Sequence, residues 1–250
     1  MQRYFVKNEQ LNDNKVTIDS EDARHITRVM RMSEGDKVIC CNEKGQSALC
    51  EIEDISGDEV NLRVVEWLDE AKELPVAVTI ANGLPKGDKL ELVIQKGTEL
   101  GASAFIPFMA ARSIVKWDSK KGAKKVERWS KIAKEAAEQA HRTKVPEVLE
   151  PASLRELVQK SEAYDYKIVA YEEEAKLGEK SNLASVLSNI KQDQSLLVVI
   201  GPEGGLSDNE VQSFKENGFV ICGFGPRILR TETAPLYVLA AVSYHTELMR

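Results

Sequence analysis

Histidine is scarce in this chain, with three in 250 residues. His25, His141 and His245 stand singly, without the short spacings by which side chains close around zinc. The four cysteines, Cys40, Cys41, Cys50 and Cys222, form no zinc-type pair either, and adjacent Cys40 and Cys41 would point to opposite faces of a strand. They read as reduced thiols that fill a core, so no metal site is expected. No apolar run approaches the roughly 20 residues needed to cross a bilayer. The opening Met1-Gln2-Arg3-Tyr4-Phe5-Val6-Lys7-Asn8 lacks the apolar stretch of a secretory signal. A cytoplasmic protein without a membrane partner is the expectation. Also missing is a P-loop, since no Gly-Lys-Ser/Thr follows a glycine at the required spacing, and a Gly-x-Ser-x-Gly nucleophile elbow. Gly223-Phe224-Gly225 lacks the third glycine of a dinucleotide fingerprint and leaves too little chain after it for a βαβ unit. These absences argue against an ordinary Rossmann-type dehydrogenase or methyltransferase.

What is present describes a folded protein. With 42% hydrophobic and 30% charged residues, disorder is a poor reading, and the length suits one large domain or two small ones. The net charge of −6 argues against wholesale coating of nucleic acid, but the charge is uneven. Between Lys116 and Lys134 lie Lys120, Lys121, Lys124, Lys125, Arg128 and Lys131, against only Asp118 and Glu127, with His141, Arg142 and Lys144 shortly after. Such a run is either the solvated face of a helix or a local phosphate-binding surface, and charge alone does not decide.

The first seventy or so residues read as strands with one helix. Strands are expected over 4–6, 15–18, 37–42, 47–55 and 59–67, the last two alternating apolar with charged residues as a half-buried antiparallel sheet does. Ser20 is placed to cap a helix running to about residue 32, with Arg24, His25, Arg28 and Arg31 on its polar side. A charged stretch ending at Pro75 suggests a linker. Beyond it strands (76–81, 104–109, 167–171, 196–200, 219–222) alternate with helices (87–100, about 124–141, one opening at Ser153, one at Ser207, and 235–249). Ser153-Leu154-Arg155-Glu156 and Ser207-Asp208-Asn209-Glu210 are capping boxes. The alternation predicts an α/β domain with a mostly parallel sheet.

Two glycine-rich turns concentrate the chemistry. Leu196-Leu197-Val198-Val199-Ile200 stops at Gly201-Pro202-Glu203-Gly204-Gly205-Leu206, and Phe219-Val220-Ile221-Cys222 stops at Gly223-Phe224-Gly225-Pro226-Arg227-Ile228-Leu229-Arg230-Thr231-Glu232-Thr233-Ala234. A short β-branched run meeting such a loop reads as a buried parallel strand at its carboxyl end, the edge where open α/β sheets bind ligands. Gly204 and Gly205 permit close backbone approach, although a tight turn alone would use the same residues. Arg230 beside Glu232 reads either as site chemistry or as a structural ion pair.

These two loops together resemble the signature of the ribosomal RNA small-subunit methyltransferase E family, of the SPOUT class of S-adenosylmethionine-dependent enzymes. Lys86-Gly87-Asp88-Lys89, Lys96-Gly97-Thr98-Glu99-Leu100-Gly101 and Glu135-Ala136-Ala137-Glu138-Gln139-Ala140-His141-Arg142 are similar to its other motifs, and His25-Ile26-Thr27-Arg28-Val29-Met30-Arg31-Met32 fits its PUA-like domain. The resemblance implies a PUA-like β-barrel over 1–72 and an α/β methyltransferase domain with a trefoil knot over 73–250. It implies S-adenosylmethionine as cofactor, a homodimer, and methylation of N3 of one uridine (nucleotide 1498) in the decoding region of 16S rRNA, within the small ribosomal subunit. On this reading Arg230 stabilises charge on the uracil and Glu232 is the candidate base. Tyr171, Ile200, Gly201, Pro202, Gly204, Gly205, Leu206, Phe224, Gly225, Ile228, Leu229 and Thr233 would bind the cofactor. Arg3, Arg24, Arg28, Arg31, Lys86, Lys124, Lys125 and Arg142 would meet RNA. The rivals are another SPOUT enzyme acting on a ribose 2′-O of transfer RNA, and a non-catalytic RNA-binding module.

Overall fold

The computed structural model describes residues 1–114, 119–172 and 182–249, with the side chains of 119–121 excepted. Lys116 and the side chains of Lys120 and Lys121, part of the expected basic run, lie outside the described residues. The chain divides into two units, Met1–Glu73 with Ala137–Val145, and Leu74–Ala136 with Pro146–Arg250. Ala137–Val145 thus groups with the first unit although it follows far beyond the expected boundary at 72/73.

In the first unit, β1 (Arg3–Phe5), β2 (Lys15–Ile18), β3 (Lys37–Cys41), β4 (Ser47–Ser56) and β5 (Glu59–Leu68) form one sheet in the order β1-β3-β4-β5-β2. Only β1 and β3 run parallel. The period of two in β4 sends Ala48, Cys50 and Ile52 inward, where they meet Tyr4, Val16, Val38 and Leu62 in a core shared by all five strands. Cys40 joins that core, whereas Cys41 on the opposite face meets the Arg3 guanidinium at 3.1 Å. The helix expected from 20 to 32 is shorter and broken. Ser20 itself has φ +58° and does not cap; α1 covers Ser20–Arg24. The chain then widens through His25–Val29, where the Met30 N–H reaches back five residues to the His25 carbonyl at 2.9 Å. This turn buries Ile26 while leaving Arg28 and Val29 exposed.

The second unit carries a six-stranded, wholly parallel sheet. Its strands β6 (Ala77–Gly83), β7 (Ala104–Phe108), β8 (Glu147–Val148), β9 (Tyr166–Ala170), β10 (Ser195–Ile200) and β11 (Val220–Cys222) stand in the order β11-β9-β10-β6-β7-β8. Strand β10 is paired on both sides and covered on both faces: Leu196, Val198 and Ile200 enter one core, Leu197 and Val199 the other. A strand so placed must be apolar at every position, which is why this run carries no alternation. The helices are α2 (Lys89–Glu99), α3 (Ser119–Gln139), α4 (Leu154–Ser161), α5 (Asn182–Asn189), α6 (Asp208–Glu216) and α7 (Ala234–Ser243). Leu90, Ile94, Val238 and Leu239 bring α2 and α7 to one face; Leu157, Val211 and Phe214 bring α4 and α6 to the other. Helix α2 starts two residues later than expected because Gly87 sits at φ +64°. The last helix, expected to 249, ends at Ser243 and continues as a second widened turn, with the Met249 N–H on the Tyr244 carbonyl. Among the described residues no helix is long and apolar enough to cross a membrane.

Candidate active site

Because every strand of the second sheet points the same way, the loops after β6, β7, β9, β10 and β11 all leave from one edge. There they surround a cavity of about 550 Å³, within the range of small-molecule sites. Two contacts fix the loops against each other. A Cβ on Gly83, at the end of β6, would stand 2.4 Å from the Pro202 nitrogen, so only a glycine lets the backbones approach this closely. The Thr231 hydroxyl donates to the Gly201 carbonyl at 2.7 Å, tying the loop after β11 to the loop after β10. Within the latter, Gly205 at φ +70° closes a turn by donating its N–H to the Pro202 carbonyl at 2.8 Å.

Helix α6 begins directly behind this loop. Its capping box is complete: the Ser207 hydroxyl accepts the Glu210 N–H and Glu210 accepts the Ser207 N–H. The other oxygen of the buried Glu210 carboxylate accepts the Ala111 N–H at 2.8 Å, which fixes the loop after β7 and so brings Arg112 to the cavity. Arg112 donates to the Gly204 carbonyl at 3.2 Å. On the far wall Phe224 stacks on Tyr237 of α7, with ring centres 5.8 Å apart.

Tyr171, Ile200, Gly201, Pro202, Gly204, Gly205, Leu206, Phe224, Gly225, Ile228 and Leu229 all line the cavity, together with Arg230 and Glu232. Thr233 does not. It lies exposed at the start of α7, where its carbonyl accepts the Tyr237 N–H. Five charged lining residues lie outside the expected set: Lys89, Arg112, Glu172, Glu203 and Arg227. The usable signal for each is its place just beyond a strand that ends at this edge.

The charges are ordered. Lys89 stands between two carboxylates, 2.8 Å from Glu203 Oε1 and 3.6 Å from Glu232 Oε2. Glu203 also accepts the Lys86 N–H at 3.2 Å. Burial alone would raise the Glu203 carboxyl, but the Lys89 ammonium and nearby backbone N–H groups outweigh it and hold the group below its ordinary value. The same contact with Glu203 raises Lys89 above its own ordinary value. Glu232 is the deeper carboxylate, 15% exposed against 30% for Glu203, and its Oε2 is buried without a hydrogen bond. Its ion partner is therefore Lys89 rather than the neighbouring Arg230.

The residues expected to meet RNA separate into two groups. Arg3 and Arg142 are corrections. Arg3 is buried, grips both oxygens of Glu70 at 2.8 and 2.9 Å, and donates to the Arg142 carbonyl. Arg142 is 4% exposed and its guanidinium is paired with Glu73. Groups so enclosed fix the Ala137–Val145 segment within the first unit and present no face to a phosphate. By contrast Arg28, Arg31, Lys86 and Lys124 are exposed. Arg24 is exposed and paired with Asp58 at 3.0 Å, while Lys125 and Arg128 lie 3.9 and 2.7 Å from Glu91.

The ribosomal RNA small subunit methyltransferase E of Bacillus subtilis (strain 168) is 54% identical over 253 residues, an overlap that spans 100% of this chain and 99% of that protein. The chain belongs to this family. An RNA methyltransferase domain is matched over residues 72–243 and an RNA methyltransferase PUA domain over 18–65, so the cavity lies in the former and the five-stranded sheet largely in the latter. The Synechocystis member of the family is 33% identical over 96% of this chain and 77% of its own length. A crystal structure of the Neisseria gonorrhoeae member bound to S-adenosyl methionine superposes with a TM-score of 0.84 at 28% identity, covering 97% of each chain.

Proposed function

We propose that this enzyme transfers a methyl group from S-adenosylmethionine to N3 of a uridine in the decoding region of 16S rRNA, within the small ribosomal subunit. The observation that carries the reading is the cavity itself: walls of backbone from the loops after β10 and β11, with Arg230 and Glu232 on one side. The residues present fit the cofactor. The volume of about 550 Å³ suits a nucleoside-sized molecule, and glycines at 201, 204 and 205 let an adenosine come close to the backbone. When bound, the cofactor supplies an electrophilic methyl group on a sulfonium.

The chain's own residues must then position the uracil and manage one proton. Uracil N3 carries a hydrogen and is a poor nucleophile until that hydrogen leaves. Arg230, which lines the cavity, would stabilise negative charge as it develops on the uracil oxygens. Glu232, which lines the cavity, would accept the N3 proton. Arg28, Arg31, Lys86 and Lys124 would meet more distant phosphates, where contacts set register rather than chemistry. Arg24 joins them by exchanging its exposed partner Asp58 for phosphate, which costs little at a solvated surface, and Lys125 by leaving a long 3.9 Å contact with Glu91. Two copies would pair through the outer face of the last helical stretch, where Tyr237, Tyr244 and Leu248 are exposed at spacings of seven and four. The same reading carries a trefoil knot formed by the segment after β11, and a cytoplasmic location.

The test is methylation of small ribosomal subunits from a strain lacking this gene, followed by digestion and mass spectrometry of the modified nucleoside. N3-methyluridine at one site is the expected product. A methyl on a ribose 2′-oxygen, or no transfer despite S-adenosylmethionine binding in a calorimeter, would overturn it.

A further inference from the structure

Of the carboxylates in the cavity, two share a single lysine, and they share it unequally. Glu203 holds Lys89 at hydrogen-bond distance and also accepts a backbone N–H, so its Oε1 is fully engaged. Glu232 sees the same ammonium at 3.6 Å, close enough for attraction and too far for a hydrogen bond. The Glu232 Oε2 is thus enclosed beside a fixed positive charge, while the side chain still lines the cavity. We propose that Lys89 is a positioning residue for the proton-accepting carboxylate: held by Glu203, it draws the enclosed Glu232 Oε2 and so fixes the carboxylate at the cavity wall, leaving its other oxygen to take the proton. This rests on the assignment of Glu232 as the base.

The other charged groups at the cavity are arranged so that none can replace Lys89. Arg230 and Arg227 belong to the same loop as Glu232, Arg112 comes from the loop after β7 and is bonded to the Gly204 carbonyl, and Glu172 follows β9. Lys89 arrives at the first position of α2, and that helix is anchored by Leu90 and Ile94 in the core. A charge mounted on an element so anchored is fixed before substrate arrives, which is the condition for positioning. Glu203 in turn fixes the ammonium, at 2.8 Å.

The experiment compares the full-length enzyme with Lys89→Met, Lys89→Arg, Glu203→Gln, Glu232→Gln and the Lys89→Met/Glu232→Gln double variant. Single-turnover methyl transfer is measured on unmethylated small subunits, S-adenosylmethionine affinity by calorimetry, and integrity by thermal melting. Lys89→Met should lower the transfer rate roughly 10- to 100-fold, the scale of a misplaced catalytic group, with KM for the subunit and cofactor affinity within about threefold. Lys89→Arg should recover most of the rate. Glu203→Gln, a second variant that leaves the lysine in place, should slow transfer by a few fold because Lys89 loses the carboxylate that fixes it. The double variant should be no slower than Glu232→Gln alone. Multiplying losses in the double variant, a Lys89→Met effect confined to KM, or an unchanged rate in Glu203→Gln would each overturn the proposal. An undiminished rate in Glu232→Gln would instead remove the base assignment, and the dependence on Lys89 with it.

Discussion

Arg142 and Arg230 are the same residue type in two motif-like stretches, yet the fold uses them in opposite ways. Arg142 is enclosed in the first unit and committed to Glu73, whose carboxylate also takes the N–H groups of Thr143 and Lys144. Arg230 lies exposed at the rim of the cavity, in a loop held in shape by Thr231 rather than by its own side chain. A buried guanidinium with a full set of acceptors is part of the scaffold. One that lines a cavity and leaves the nearby carboxylate to a lysine is available for a ligand. The lesson is that function among arginines follows commitment, and commitment is a tertiary property.

The comparison breaks first at the cavity. Arg230→Ala should reduce methyl transfer to small subunits by ~10²–10³-fold, the usual loss when one charge-stabilising donor is removed. Cofactor affinity by calorimetry should stay within a few fold, and near-normal turnover would move Arg230 back among structural residues. The same substitution should leave the unfolding midpoint almost unchanged.

Glu73→Ala should do the reverse. It takes the carboxylate away from a buried guanidinium, and breaking such a pair costs about 3 kcal/mol, to be read from urea unfolding. Turnover per folded molecule should change far less than stability. The pH dependence carries a sign. Burial acts to raise the Glu73 carboxyl, but Arg142 and the Thr143 and Lys144 N–H groups prevail and hold it below its ordinary 4.5. Its contribution is therefore complete above the unfolded-state value and is lost as pH falls through the lower folded value. In the wild type, acid should weaken the first unit in that window. Glu73→Gln should flatten the response, and an unaltered acid limb would remove Glu73 from it.

The smallest effect concerns the exposed lysines of α3. Replacing Lys124, Lys125 and Arg128 with alanine should reduce the slope of log affinity against log salt by about 0.7–0.9 for each phosphate left without its cation. An unchanged slope would show that this surface is only solvated, with Lys125 and Arg128 serving Glu91.

Much of the fold is legible from local pattern. Val198 and its neighbours announce a strand covered on both faces, and Ser153 and Ser207 each open a helix through the capping box their sequence spells. The edge where Gly201 and Gly225 stand is legible too, since a parallel sheet sends its loops to one side. Other features depend on distant partners. Nothing near Arg3 indicates Glu70, and nothing near Arg142 indicates Glu73, so both arginines look free until the chain returns through Ala137–Val145. Ser20 has the composition of a cap and the backbone of a left-handed turn, a choice made by the strand before it rather than by the residue. Lys89 resembles any first-turn lysine until Glu203, far along the chain, is placed opposite it.

The close approach of Gly83 to Pro202 and the tie from Thr231 to Gly201 have a thermodynamic consequence for the whole sheet. A molecule in this cavity touches loops that issue from separate strands and are stitched to one another, so it cannot bind to a locally frayed part. Occupancy then couples to global unfolding: a ligand present at a hundred times its dissociation constant adds about 2.7 kcal/mol. Slowed amide exchange would extend into β6, β9 and β10, well away from any atom the ligand touches. For this enzyme a melting curve is in effect a binding assay.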